Sequence, residues 1–238
     1  MLYIICGFIF GFSIPYLARR IGKLIPAATG YIWLRIFIPS RTLPWAKLKT
    51  NEHYMDLFKR YIMRSIGWAI FTAATTILFV LNFDTMFTWW YIAFLWILLL
   101  LVEIDKRFML LPDMLTLPLL LLGFVYAAQQ GFWLAMPEPH YMPYALNSAL
   151  GAISGYILPL LASLFIIWKH PEAFGDGDLK LLAAIGAWVG FIAVPYILLG
   201  ACALFAAGWL INHRRIGPFG PAIIYATLIY VILFFAGL

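Results

Sequence analysis

Residues 87–104 read FTWWYIAFLWILLLLVEI, a stretch in which Glu103 is the only charged residue. A helix needs about 20 apolar residues of this kind to cross the hydrocarbon core of a bilayer. Similar stretches lie at residues 2–18, 66–83, 115–133, 145–168, 179–193, 194–212 and 220–238. The sequence therefore predicts an all-α integral membrane protein, a polytopic bundle of about eight transmembrane helices, the sixth of them short and tilted or lying partly inside the bundle.

The composition of the chain excludes a soluble domain. Of its 238 residues, 65% are hydrophobic and only 11% are charged, whereas a soluble domain carries roughly 25% charged residues. The apolar start, Met1 to Ala18, lacks a basic leader region and a small-residue cleavage site, which indicates a retained span and not a secretory signal. Cys6 and Cys202 lie in apolar runs and form no metal or redox motif, so we expect them to be packing residues.

The basic residues predict the orientation. Ten of the sixteen lie between Arg19 and Arg64, and the others are Lys106, Arg107, Lys169, Lys180, Arg214 and Arg215. With eight spans and an outside N-terminus, all sixteen lie on the cytoplasmic side, where basic residues accumulate. The net charge of +6 is thus explained by the membrane, and we expect no nucleic-acid partner.

Three segments follow from this pattern. Residues 1–18 form the first transmembrane helix, residues 19–65 a basic cytoplasmic loop, and residues 66–238 a membrane-embedded domain. The loop mixes basic residues with aromatic ones such as Trp33 and Phe37. That mixture favours a segment lying on the anionic inner leaflet, and a docking platform for a substrate is a compatible alternative.

Six of the ten acidic residues fall into two clusters at the predicted cytoplasmic boundary: Glu103, Asp105 and Asp113, then Glu172, Asp176 and Asp178. Ionisable groups at membrane depth are costly and are therefore functional candidates. Other interpretations stay open. Asp113 and Asp178 could be helix N-caps, with Gly175 and Gly177 forming a turn before Asp178. Asp105 could pair with Lys106, with Arg107 or with a neighbouring helix, and Glu103 is assigned no role.

The motifs around these acids resemble a known family. Gly175-Asp176-Gly177-Asp178, followed by Leu179-Lys180-Leu181-Leu182, resembles the signature of the GxGD membrane aspartic proteases. Ile104-Asp105 and Leu111-Pro112-Asp113 resemble the other half of the type IV prepilin peptidase signature. The resemblance covers roughly residues 95 to 230 and makes residues 66–238 a membrane-embedded peptidase domain.

The resemblance implies an aspartic endopeptidase whose catalytic pair is Asp105 and Asp178, without a metal. Such carboxylates share one proton and activate a water molecule. Gly175 and Gly177 would let the backbone approach the substrate closely. Lys180 would influence the protonation of Asp178 or hold the loop, unless it is only an orienting charge. Asp113 would be a supporting residue and not a catalytic one.

The resemblance also implies a place and a substrate. The protein would lie in the bacterial inner membrane with its active site at the cytoplasmic face. There it would remove the short basic leader of type IV prepilins or of type II secretion pseudopilins. Proteolysis would need no cofactor.

The N-terminal part departs from the family pattern, which opens with G-S-F-x-N-V and often carries two C-x-x-C pairs in the loop. Here Gly11-Phe12-Ser13-Ile14-Pro15 stands instead, and the loop contains no cysteine. N-methylation of the new N-terminus, with S-adenosylmethionine as the cofactor, is thus an open second activity. Two other classes are weighed: a polytopic transporter, which the boundary position of the acids disfavours, and a non-catalytic assembly subunit of a secretion or pilus machine.

Overall fold

The computed structural model describes residues 2–24, 52–82, 88–130, 143–167, 175–212 and 217–235. Within these ranges it contains eight helices and no strand, which confirms the predicted fold class. The helices are α1 (Leu2–Leu24), α2 (Glu52–Asn82), α3 (Thr88–Phe108), α4 (Asp113–Gln130), α5 (Tyr144–Ile167), α6 (Asp176–Val189), α7 (Ala193–Asn212) and α8 (Gly220–Phe235). They form two compact units, Met1–Arg107 and Phe108–Leu238.

Five of the described helices are long and apolar enough to cross a membrane: α1, α2, α3, α5 and α7. The apolar helices α4 and α8 are shorter. Helix α6 has 14 residues, which at about 1.5 Å per residue reach only two thirds of the way across a hydrocarbon core. The chain is thus a multi-pass membrane protein in which α6, as expected, is too short for an ordinary span.

In the first unit, α1 packs closely on α2 through two glycines spaced by four residues. A Cβ atom at Gly7 would lie 2.9 Å from the Thr76 hydroxyl oxygen, and one at Gly11 would lie 2.6 Å from the Trp68 carbonyl oxygen. Small residues at this spacing let two helix backbones approach each other in a membrane protein. Gly7 and Gly11 therefore allow the close approach of α1 to α2.

Helix α3 joins this pair through aromatic side chains seven residues apart. Trp89 meets Tyr3 edge to face, with ring centroids 4.7 Å apart, and Trp96 stacks on Phe10 at 4.6 Å. The indole N–H of Trp96 also donates to the Thr76 hydroxyl, 3.2 Å away. Residues seven apart lie on nearly the same face of a helix, so one face of α3 packs against α1 and α2.

In the second unit, α6 is buried along most of its length, and every residue from Leu181 to its end at Val189 is buried. A Cβ atom at Gly151 of α5 would overlap the carbonyl group of Gly186, and one at Gly155 would overlap that of Leu182. On the α4 side, the Trp188 indole donates to the Leu119 carbonyl, 2.8 Å away. Helix α6 is thus held between α4 and α5 by close backbone packing.

Two helices extend past the predicted spans. Helix α1 continues to Leu24 and α2 begins at Glu52, so the segment boundaries proposed at residues 18/19 and 65/66 fall inside helices. Residues 52–65, inside the predicted cytoplasmic loop, are helical. The boundary of the membrane itself stays a prediction, and Trp33 and Phe37 lie outside the described residues.

Candidate active site

Asp105 lies in the last turn of α3 and is almost completely buried, with 4% of its surface exposed. The helix ends three residues later, at Phe108, because Met109 takes a positive φ of 51° that interrupts the helical path. An acidic side chain at a helix C-terminus opposes the helix dipole. Burial and position at the helix end thus both disfavour an aspartate at residue 105. A carboxylate in such a place is a candidate for a functional role.

The neighbouring Glu103 has a complete set of partners. Its Oε1 atom lies 2.6 Å from Nε of Arg107 and 2.9 Å from Nε of Arg64. Its Oε2 atom accepts hydrogen bonds from Nη2 of Arg64 at 3.0 Å and from the Trp68 indole at 2.9 Å. The Glu103 side chain is fully buried. Arg107, which the sequence offered as a partner for Asp105, binds Glu103 one helical turn away.

Asp178 is the third residue of α6 and is partly buried. The helix is capped by Gly175, whose backbone is extended (φ −81°, ψ 133°), and the Asp178 N–H donates to the Gly175 carbonyl at 3.0 Å. The interpretation of Asp178 as the N-cap is therefore wrong. Its carboxylate still benefits from the positive end of the helix dipole, as does that of the exposed Asp176.

The two glycines of the G-x-G-D motif differ in their surroundings. A Cβ atom at Gly177 would lie 2.9 Å from the Cβ of Leu111, so only glycine lets the Leu111-Pro112 segment pack against the first turn of α6. Among the described residues, a Cβ atom at Gly175 would meet only an Asp178 carboxylate oxygen, at an ordinary 3.5 Å. Gly177 is thus inside the helix and needed for packing, and the predicted turn formed by both glycines is wrong.

Asp113 and Lys180 form an ion pair across the two motifs. Both carboxylate oxygens of Asp113 lie 2.8 Å from Nζ of Lys180, and both side chains are partly exposed. The carbonyl of Pro112 accepts from the N–H groups of Leu115 and Thr116. Pro112 is therefore the residue that caps α4, and the interpretation of Asp113 as the N-cap is wrong.

The second unit therefore brings together most of the supporting residues predicted from sequence. Gly177 contacts the L-P-D segment, Lys180 binds Asp113, and Gly175 borders Asp178. Asp105 belongs to the first unit, so its pairing with Asp178 stays a prediction. The catalytic or supporting roles of the other site residues also stay predictions: these are Asp113, Gly175, Gly177, Asp178 and Lys180.

Sequence reasoning missed the partners of Glu103. The spacing of Glu103 and Arg107, four residues apart on one helix face, was a readable signal for their ion pair. Arg64 and Trp68 come from another helix, and Arg64 was interpreted only as an orienting charge of the loop. No local pattern links residues 64 and 103, so this contact was visible only in the structure.

Comparison with known proteins agrees with these motifs. The model of the type IV leader peptidase family matches residues 92–211, half of the chain, and this range contains Asp105, Asp113, Gly175, Gly177, Asp178 and Lys180. The chain belongs to the type IV leader peptidase family.

Several curated relatives carry the name prepilin leader peptidase/N-methyltransferase. The one from Aeromonas salmonicida is 40% identical over 136 residues, which cover 53% of this chain and 43% of the relative. The one from Aeromonas hydrophila is 32% identical over 195 residues, covering 77% and 62%. The one from Escherichia coli K12 is 39% identical over 134 residues, covering 53% and 55%.

The chain thus spans about half the length of the curated relatives it matches. No solved structure matches it significantly. Within the type IV leader peptidase family, the matched region runs from α3 to α7 and so includes both acidic motifs.

Proposed function

We propose that this chain is a membrane-embedded aspartic endopeptidase that removes the short basic leader from type IV prepilins or type II secretion pseudopilins. The observation that carries the proposal is the buried carboxylate of Asp105, at the motif position in an apolar helix of a leader peptidase family member. Ionisable groups buried at membrane depth are costly and are therefore functional candidates. The names of the curated relatives support the same substrate class.

The proposed chemistry uses Asp105 and Asp178 with one shared proton, because two adjacent carboxylates cannot both ionise cheaply. The ionised carboxylate takes a proton from a water molecule as the water oxygen bonds to the scissile carbonyl carbon. The protonated carboxylate donates to the carbonyl oxygen and stabilises the tetrahedral intermediate. Collapse of that intermediate breaks the C–N bond: the leaving amine takes the proton that the first carboxylate removed from water, and a hydroxyl proton of the intermediate returns to the second carboxylate.

The supporting residues act through the backbone around Asp178. The Asp113–Lys180 ion pair and the Gly177–Leu111 contact tie the start of α4 to the first turn of α6. We propose that this connection holds Asp178 in place. Gly175, where a Cβ atom would meet an Asp178 carboxylate oxygen at an ordinary 3.5 Å, has the proposed role of admitting the substrate backbone.

The proposed location is the bacterial inner membrane with the active site at its cytoplasmic face. The positively charged residues at the predicted cytoplasmic helix ends support this side. Asp105 lies in the last turn of α3 and Asp178 in the first turn of α6, so both acids stand near helix ends and not in the middle of spans. This placement disfavours a transporter, whose ion and substrate sites lie near the bilayer midplane.

The test is cleavage of a prepilin or pseudopilin co-expressed with the chain, followed as a mobility shift and confirmed by N-terminal sequencing. We expect a cut at the junction of the basic leader and the apolar helix. A substrate that stays intact with well-accumulated wild-type protein would contradict the proposal. It would favour a non-catalytic assembly subunit.

N-methylation of the new N-terminus is a second candidate activity, because the relatives' printed names include N-methyltransferase. The assay is run with labelled S-adenosylmethionine, and incorporation of label into the cut product would establish this activity. The loop from residue 19 to residue 65 contains no cysteine. Any methyl transfer should therefore proceed unchanged after zinc chelation, and its loss on chelation would contradict this expectation.

A further inference from the structure

Glu103 is a buried carboxylate that the proposed mechanism does not use. We call Arg64, Trp68, Glu103 and Arg107 the Glu103 cluster. Its four donor atoms, two from Arg64 and one each from Trp68 and Arg107, occupy both carboxylate oxygens at 2.6 to 3.0 Å. Two guanidinium groups and one indole N–H thus engage both oxygens of Glu103. Because both oxygens already have partners, Glu103 is unsuited to bind substrate.

The cluster fixes which face of α3 meets α2. Arg64 and Trp68 come from α2, while Glu103 and Arg107 stand one turn apart on α3. Trp96, seven residues before Glu103, binds Thr76 of α2 on the same side. The paired fork of Arg64 is directional, unlike apolar packing, so it resists rotation of α3 about its own axis.

The face of α3 that meets α2 also determines the direction in which Asp105 leaves the helix. Successive residues of an α-helix turn by about 100°, so Asp105, two residues after Glu103, points about 200° away from it. Anchoring Glu103 on α2 thus turns Asp105 away from α2. The anchor lies in the same helical turn as Asp105, where a rotation of α3 would displace the aspartate most directly.

We propose that Glu103 is a positioning residue: its buried carboxylate, through ion pairs with Arg64 and Arg107, holds Asp105 in the orientation that catalysis needs. This inference rests on the proposed function only in taking Asp105 as the catalytic group whose orientation matters. It predicts that loosening the cluster lowers kcat and leaves KM unchanged, because Glu103 itself does not contact the substrate.

The kinetic test compares three variants on a prepilin substrate. Glu103→Gln removes the charge, and Arg64→Lys keeps the charge but loses the two-pronged geometry. Thr76→Val is the matched control, because it removes the hydrogen bond between Thr76 of α2 and Trp96 of α3. Trp96 lies about 13 Å from Asp105 along the axis of α3. We expect Glu103→Gln to lower kcat by about 10- to 100-fold, as for a catalytic group that is slightly misplaced. Arg64→Lys should lower kcat less, and Thr76→Val should stay close to wild type.

A second measurement reports the direction of residue 105 without any activity. Cys6 and Cys202 are replaced by alanine, Asp105→Cys is introduced, and the rate of labelling by a water-soluble thiol reagent is compared with and without Arg64→Lys. We expect faster labelling when the cluster is loosened and no change with Thr76→Val. If Glu103→Gln fails to accumulate, Arg64→Lys carries both measurements.

The outcomes separate this inference from the proposed function. A wild-type protein that cuts no prepilin would contradict the proposed function, and the labelling rates would still test the orientation. An active wild type whose cluster variants match Thr76→Val in kcat would overturn the inference. Unchanged labelling in Arg64→Lys would overturn it as well.

Discussion

At the scale of single residues, the central prediction concerns Asp105 and Asp178. Replacement of either by asparagine removes the shared proton with almost no change in volume, so each change alone should abolish prepilin cleavage. The double variant should be no worse than either single variant, because residues that act as a unit are non-additive. The measurement is the cut fraction of prepilin at equal membrane accumulation of all variants.

Asp113→Asn and Asp176→Asn are the matched controls for this series. Asp113 binds Lys180 at a partly exposed site, where an ion pair is worth roughly 0–1 kcal/mol, and asparagine still offers Lys180 a hydrogen-bond acceptor. Asp176 is exposed in the first turn of α6. Both variants should therefore keep most of the activity. An inactive Asp113→Asn beside an active Asp105→Asn would move the dyad to Asp113 and Asp178.

The two motif glycines give a second prediction at this scale. Gly177→Ala places a Cβ atom 2.9 Å from Leu111, whereas the nearest atom to a Cβ at Gly175 lies at 3.5 Å. Overpacking costs about 1–3 kcal/mol, so thermal unfolding in detergent should show a lower Tm for Gly177→Ala than for Gly175→Ala. Equal Tm values would contradict this prediction, because they would show that Leu111 can shift away from the added Cβ atom without loss of stability.

The motifs named candidate site residues in the second unit but not the contacts between them. Lys180 was predicted to hold the loop, and the motif made Asp113 a supporting residue, but neither motif states that the two side chains bind each other. Their separation in sequence, 67 residues, removes any periodic signal. The helix caps at Pro112 and Gly175 were also missed, because an acidic residue at either the cap or the first turn produces the same local pattern.

At the scale of helices, close packing in the second unit depends on small residues. A Cβ atom at Gly151 would overlap the backbone of Gly186, whereas a Cβ atom at Gly208 of α7 would meet no atom of the described part of the chain within 4 Å. Gly151→Ala should therefore lower the Tm in detergent by forcing α5 and α6 apart. Gly208→Ala, a favourable change in a helix interior, should leave the Tm unchanged or raise it. A Gly151→Ala protein as stable as Gly208→Ala would contradict the packing argument.

Hydrophobic runs predicted the existence of the helices and misplaced some of their ends. The run from residue 66 marks the apolar part of α2, but the helix begins at Glu52, because charged residues interrupt hydropathy without interrupting the helix. The glycine pairs Gly7/Gly11 and Gly151/Gly155 were readable in the sequence as close-packing signals. Their partner helices were not, since a small residue does not encode which neighbour it faces.

At the scale of the whole molecule, the remaining prediction is the orientation of the chain in the membrane. The basic residues near α1, α2, α3, α6 and α7 all fall on one side if the spans alternate, and the loop at residues 137–143 contains none. Basic residues are retained on the cytoplasmic side, so residues 169–177 should face the cytoplasm, as should the loop around Arg214. His170, Arg214 and His140 lie outside the described residues, and labelling reports their side of the membrane directly.

The experiment uses a background in which Cys6 and Cys202 are replaced by alanine. One variant carries His170→Cys, and its matched control carries His140→Cys in the opposite loop. An impermeant thiol reagent added to intact cells should label His140→Cys and not His170→Cys, and both should be labelled after the cells are opened. Labelling of His170→Cys in intact cells would overturn the orientation. It would also place Asp178, which follows eight residues later, on the side of the membrane away from the basic leader of a prepilin.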